Sequence, residues 1–232
     1  MKTVILDKDA LYDSAAEQIV KTLARKPDAV IALSGGKTMS PLFAKLSELC
    51  KNGAVSFRDA AILTVAEFVE AEESIRIGTQ LQNELISNSD IPPDNFHTPE
   101  NLSPDEYDEL IKELGGINLA VLGIGYNGHI AYNEPATPFD SHTHVQKLTD
   151  KTKALLSQRG IADEQMPQYA ITMGIKTLTD AKDIEVIAVG EDKSAAVFQM
   201  LYAKTTSYVP AAFLQLPLNV TVYCDREAAS RL

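Results

Sequence analysis

Residues 29–41 read AVIALSGGKTMSP, and this stretch decides the fold class. Ala29 to Leu33 is a short, uninterrupted apolar run, the pattern of a strand buried on both faces inside a parallel sheet. Ser34-Gly35-Gly36-Lys37-Thr38 follows as a turn, and Ser40-Pro41 opens a helix with an N-cap hydroxyl and a proline at its first position. Strand, glycine turn and helix in immediate succession form the first half of a βαβ unit.

The same alternation continues on both sides. Residues 10–24 place Leu11, Ala15, Ile19 and Leu23 at helical spacing before Pro27 and Asp28 break the pattern. Met1 to Leu6, Ala60 to Val65, Leu119 to Ile124, Ile184 to Gly190 and Asn219 to Cys224 read as strands. Ser74 to Ser87, Ser103 to Leu114, Lys151 to Arg159 and Asp192 to Tyr202 read as helices. This repetition predicts an α/β fold, a doubly wound and mostly parallel sheet with helices on both faces, Rossmann-like. With no linker or low-complexity segment in 232 residues, a single domain over 1–232 is expected.

Composition narrows the function. The 32 acidic and 21 basic residues give a net charge of −11, which speaks against nucleic acid and anionic membrane as partners. A nest of backbone N–H groups with one lysine still holds a phosphate in an acidic chain. The apolar runs are far shorter than the roughly 20 residues a membrane span needs, and the N-terminus lacks an export pattern. Two isolated cysteines, Cys50 and Cys224, make no disulfide framework and fit a reducing cytoplasm.

In open α/β sheets ligands bind beyond the carboxyl ends of the strands, and three such loops carry chemistry. Ser34 to Thr38 joins a glycine pair, two hydroxyls and the Lys37 ammonium ahead of a helix N-terminus, either a phosphate cradle or a plain tight turn. It lacks the P-loop and G-x-G-x-x-G spacings. In Leu122 to Pro135 a run of glycines after a strand, Gly123, Gly125 and Gly128, precedes His129 and then Glu134, a pairing that tunes an acid–base group or serves structure alone. Lys193, in Gly190 to Ser194, falls in the first turn of a helix, an unfavourable place for a cation unless an anionic ligand joins it. His142 and His144 have no third partner at ligand spacing, so no metal is expected.

Together these segments resemble the glucosamine-6-phosphate deaminases, which share a superfamily with the 6-phosphogluconolactonases. LGIGYNGHIAYNEPATPFDSHTH at 122–144 is similar to the deaminase signature G-x-[ND]-G-H-I-[GA]-[FY]-N-E-P, whereas the lactonases carry G-x-D-G-H-T-A-S-L-F there. VSFRDA at 55–60, YAITMGIKTLTDA at 169–181 and the Gly190–Ser194 turn extend the likeness across the chain.

The resemblance implies conversion of an amino-sugar 6-phosphate to a ketose 6-phosphate and ammonia, without metal or organic cofactor. It assigns ring opening to His129, with Glu134 orienting it and Asn127 at the position that is Asp or Asn in the family. Ser34, Gly35, Gly36, Lys37, Thr38, Gly125 and Lys193 become the substrate- and phosphate-binding set. A further phosphate-binding arginine falls near Gln158 or Arg159. The positions that hold an allosteric activator in regulated hexamers are His144 and Gln146 here, so a monomer or small oligomer without that activation is expected.

The chain departs from the family at the base. The deaminases carry Asp-Glu-Tyr where this sequence has Ala66-Glu67-Phe68, and that aspartate moves the C2 proton. A general base contributes about 100- to 10,000-fold. Glu67 is the nearest replacement, although strand alternation points it away from the side chain of position 66; Glu70, Glu72 and Glu73 follow. Three functions stay open: an amino-sugar-phosphate isomerase/deaminase acting on galactosamine or glucosamine 6-phosphate, a lactonase-like hydrolase, and an impaired sugar-phosphate binder.

Overall fold

The computed structural model describes residues 1–158 and 160–232. Its strands are β1 (Lys2–Ile5), β2 (Val30–Leu33), β3 (Ala61–Thr64), β4 (Ala66–Phe68), β5 (Phe96–His97), β6 (Leu119–Gly123), β7 (His144–Lys147), β8 (Tyr169–Thr172), β9 (Asp183–Ala188) and β10 (Val220–Cys224). Its α-helices are α1 (Lys8–Arg25), α2 (Ser40–Lys51), α3 (Ile77–Glu84), α4 (Pro104–Glu113), α5 (Asp150–Gln158), α6 (Ile175–Thr179) and α7 (Ser194–Tyr202).

Among the described residues, seven strands form one parallel sheet in the order β1-β10-β9-β6-β2-β3-β5. The central strands β2, β3 and β6 are buried nearly throughout, as their apolar runs require when helices cover both faces. Edge strand β1 is largely exposed. From β2 the chain builds outward through β3 and β5, then returns to the other side of β2 with β6 and continues through β9 to β10. The switch of direction lies between β2 and β6. There the two strand ends are stitched together by Ser34 N–H to the Val121 carbonyl at 2.9 Å.

Local signals act as their chemistry dictates. α1 buries Leu11, Ala15, Ile19 and Leu23 on one stripe, and α4 starts with Ser103 and Glu106 in a reciprocal capping box followed by Pro104. Ser40 is different. It is the first helical residue of α2, no side chain caps that helix, and its hydroxyl accepts from Gln80 Nε2 at 3.3 Å instead.

A second sheet was outside the sequence expectation: β4, β8 and β7 pair antiparallel. The strand expected over Ala60 to Val65 stops at Thr64, and the chain bends so that β4 leaves the parallel sheet and pairs with β8. The helix expected from Ser74 to Ser87 is broken as well. A 3-10 turn, Glu73–Ile75, is separated from α3 by Arg76 in an extended conformation, and α3 ends at Glu84. The Glu67 carboxylate supplies the start signal for α3 from outside the helix, which no local pattern in 74–87 reveals.

Candidate active site

The strand ends at the switch point open into a cavity of about 500 Å³, ample for a phosphorylated hexose. Its charged lining among the described residues is Lys37, Arg76, Lys193 and Glu84, with His129 on one wall. Three cations against one carboxylate make this lining locally cationic in a chain of net charge −11, although Arg76 also pairs with Glu100.

His129 is seated by the loop that follows β6. A side chain at Gly125 would lie 2.3 Å from His129 Nε2, so only glycine leaves room for the imidazole. The Gly125 N–H donates to the His129 carbonyl at 2.8 Å, so Gly125 shapes the histidine loop, and its amide is not free for a phosphate. Gly125 lines the cavity all the same, beside the histidine it seats. His129 N–H donates to Asn127 Oδ1 at 3.2 Å, and Asn127 Nδ2 donates to Glu134 Oε2 at 2.9 Å. That same carboxylate oxygen is 3.8 Å from His129 Nδ1. His129, Asn127 and Glu134 therefore meet as the sequence expected. The ring packs between Tyr126 and Tyr132, with centroids at 6.5 and 6.2 Å. The Tyr126 hydroxyl is held above its ordinary pKa by burial and then by the Glu134 charge.

Glu134 is buried, and Thr149 and Thr152 at the start of α5 reach its other oxygen. Neither threonine was anticipated, because a hydroxyl near a helix start ordinarily signals only a cap.

The Ser34–Thr38 loop lines the opposite wall. The Gly36 N–H, expected to face an anion, donates to Gln80 Oε1 at 2.7 Å, and Gln80 Nε2 returns a bond to the Gly36 carbonyl at 3.3 Å. Gly35 touches α3 so closely that a side chain there would meet Ile77 at 2.7 Å. α3 thus props the loop and uses one of its donors, leaving Lys37, Thr38 and Ser34 on the cavity wall.

Lys193 ends a 3-10 turn, Glu191–Lys193, directly before α7, and only a tenth of its side chain is exposed. Its Nζ lies 2.9 Å from the exposed Asp192 carboxylate. Gly190 begins the turn at φ 97°, a conformation that favours glycine, and its N–H is held by the buried Asp225 carboxylate at 3.1 Å. Asp225 lies 35 positions away in sequence, which hid its part in placing Lys193.

The base position behaves as strand alternation requires. Ala66 and Phe68 line the cavity, whereas Glu67 is turned away. Its buried carboxylate accepts the N–H groups of Phe68, Ile77 and Gly78 at 2.8, 2.9 and 2.7 Å. Burial raises its pKa despite those bonds. Glu67 anchors the start of α3, and the expectation that it replaces the catalytic base is corrected. Glu84 is the only carboxylate among the described lining residues, and it lies seven residues along α3 from Ile77, roughly 10 Å by helical rise. Glu70, Glu72 and Glu73 do not line the cavity. Of the two positions expected for a phosphate-binding arginine, Gln158 ends α5 and Arg159 lies outside the described residues.

The His144 ring bonds the His142 carbonyl at 2.8 Å, and His142 faces Asp108.

The cavity, with its histidine–carboxylate pair, lies at the switch point of an open α/β sheet, a class of fold that takes ligands at that place. Within that class, the model of the family of glucosamine-6-phosphate isomerases and 6-phosphogluconolactonase matches residues 6–223, and the chain belongs to this family. It is 35% identical to a glucosamine-6-phosphate deaminase of Bacillus pumilus, over 97% of this chain and 96% of the relative. A Clostridium botulinum glucosamine-6-phosphate deaminase is 33% identical over 100% of this chain and 97% of its own. Among solved structures, a monomeric glucosamine-6-phosphate deaminase of the NagB superfamily matches with TM-score 0.96 at 30% identity, covering 100% of both chains. The 6-phosphogluconolactonase of Thermotoga maritima shares the fold, with TM-score 0.75 at 19% identity over 97% of this chain and 98% of its own. Among the described residues no helix is long and apolar enough to cross a membrane.

Proposed function

We propose that this chain is an amino-sugar-6-phosphate isomerase that releases ammonia, acting on glucosamine 6-phosphate or galactosamine 6-phosphate. The observation that carries this reading is His129, seated in the cavity wall with Asn127 and Glu134 behind it and Lys193 on the same cavity. The substrate phosphate binds Lys37, Thr38 and Lys193, where the ammonium groups and the α7 N-terminus supply positive potential. His129 then moves a proton to the ring oxygen as the C1 hydroxyl loses one, which opens the pyranose. C2 loses a proton, C1 gains one, and water replaces ammonia at C2. The C2 step is the weak one, because a methyl group at Ala66 accepts no proton and Glu67 faces α3.

That gap favours a second reading, a sugar-phosphate binder with impaired turnover. The lactonase alternative is less supported, since the 6-phosphogluconolactonase likeness extends to the fold alone. A single domain over 1–232, a monomer or small homo-oligomer, a cytoplasmic location and no nucleic-acid or membrane partner belong to the same proposal; the net charge of −11 supports the last point. Ammonia release from both sugars, with binding followed by thermal shift, tests it. The reading expects turnover that disappears in His129→Ala. Binding of either sugar without ammonia leaves the impaired binder, and no binding of either overturns both.

A further inference from the structure

Glu134 is 2% exposed, so hydrogen-bond donors must replace the water its oxygens lose on burial. On one side, Oε2 takes the Asn127 amide and faces His129. On the other, Oε1 accepts the Thr152 hydroxyl in a short contact and the Thr149 hydroxyl at 3.3 Å. The two threonine oxygens are 3.1 Å apart, and Thr149 Oγ1 also accepts the Thr152 N–H at 3.2 Å. A buried threonine in the first turn of a helix commonly turns its hydroxyl to the helix's own backbone. Thr152, 3% exposed, aims it at a carboxylate 18 positions back in the chain.

We infer that Thr152, backed by Thr149, is a positioning residue that holds the Glu134 carboxylate aimed at His129, so that the first turn of α5 belongs to the acid–base apparatus. This rests on the ring-opening role proposed for His129. With Oε1 pinned by α5, the carboxylate cannot rotate away from the imidazole, and Oε2 keeps a fixed direction toward Nδ1. Leu155 and Leu156 of the same helix line the cavity. A substrate that presses on this wall therefore acts on Thr152 and through it on Glu134.

The test compares Thr152→Val, which keeps the shape and removes the hydroxyl, with Thr152→Ser, which keeps the hydroxyl. The inference expects T152V to lose about tenfold in kcat with KM unchanged, the worth of one hydrogen bond to a charged group. T152S restores kcat. A T152V protein with wild-type kcat overturns the inference, as does a T152S protein as impaired as T152V. The second readout needs no turnover: the His129 imidazole NMR signals of the unliganded protein at pH 7 shift in T152V and return in T152S. Unchanged signals in T152V overturn the positioning role. Absence of ammonia release by the wild type overturns the functional reading, and the imidazole signals then decide the inference separately.

Discussion

The loop after β6 and the segment after β3 reach the same cavity from two strand ends on opposite sides of β2, and they differ in what they deliver. The β6 loop gathers three of its residues around one side chain. Gly125, Asn127 and Glu134 converge on His129, and α5 adds two hydroxyls. The β3 segment presents a methyl group and a phenyl ring to the cavity and commits its one buried carboxylate to the fold. Strand alternation makes the second outcome unavoidable, because a single-residue step in sequence is a change of face. A carboxylate at 67 cannot stand in for one at 66 without flipping β4 and releasing α3. Proximity in sequence to position 66 is therefore a poor guide to where a carboxylate could serve the cavity.

The largest effect is expected where the β6 loop is broken. His129→Ala should reduce turnover about 1000-fold, within the range for loss of a general acid–base group, and a smaller loss in steady-state ammonia release would place ring opening elsewhere. Next comes repair of the β3 segment, where Ala66→Asp should raise turnover about 100-fold. Lys193→Met should raise KM about 30-fold with little change in kcat, as expected when one charge-assisted contact to phosphate is removed. An unchanged KM would move the phosphate off this wall.

Glu67→Gln separates anchor from base. Three backbone donors then face an amide that supplies one acceptor oxygen, so unfolding in urea should show a loss of about 2 kcal/mol. Turnover per folded molecule should stay within about threefold, and its collapse in a protein of unchanged stability would return Glu67 to the chemistry.

Glu185, away from both segments, supplies a control. It is buried on β9, near Tyr223, and burial raises its pKa from 4.5 to about 8. The native state therefore keeps a proton that the unfolded chain releases, so stability falls as pH rises from about 4.5 through about 8. Glu185→Gln should remove that decline and stabilise the protein at pH 8 by a few kcal/mol, on the order of 1.4 for every tenfold change in proton affinity, with turnover unaffected. Thermal melts at pH 5 and pH 8 check it, and an equal pH slope in the variant would refute it.

Much of this was legible in sequence. The apolar runs at 30–33, 61–64 and 119–123 are strands because both their faces are covered, and that burial leaves no polar alternation to misread. His129 and Glu134 stood out as a pair in a glycine-rich loop after a strand, and the resemblance added Asn127 and assigned the roles; the three meet because they lie within eight residues of one another. What escaped depends on long-range pairing. β4, β7 and β8 are short strands whose partners lie far away in the chain, so local periodicity carries little of the signal. Gln80 on the Ser34–Thr38 loop, Asp225 beneath Gly190 and Thr152 on Glu134 join segments 44, 35 and 18 positions apart. Glu67 shows both sides: its direction followed from alternation, while its partner, the start of α3, did not.

On the function proposed above, the β6 loop is equipped for ring opening while the β3 segment lacks a base. The most direct measurement is the rate of ammonia release from glucosamine 6-phosphate and galactosamine 6-phosphate by Ala66→Asp beside the wild type. A slow wild type and a variant about 100-fold faster on at least one sugar is the result this account predicts. A wild type that A66D leaves unchanged or slows, with substrate binding retained, would contradict it and show that the proton at C2 is moved from somewhere other than position 66.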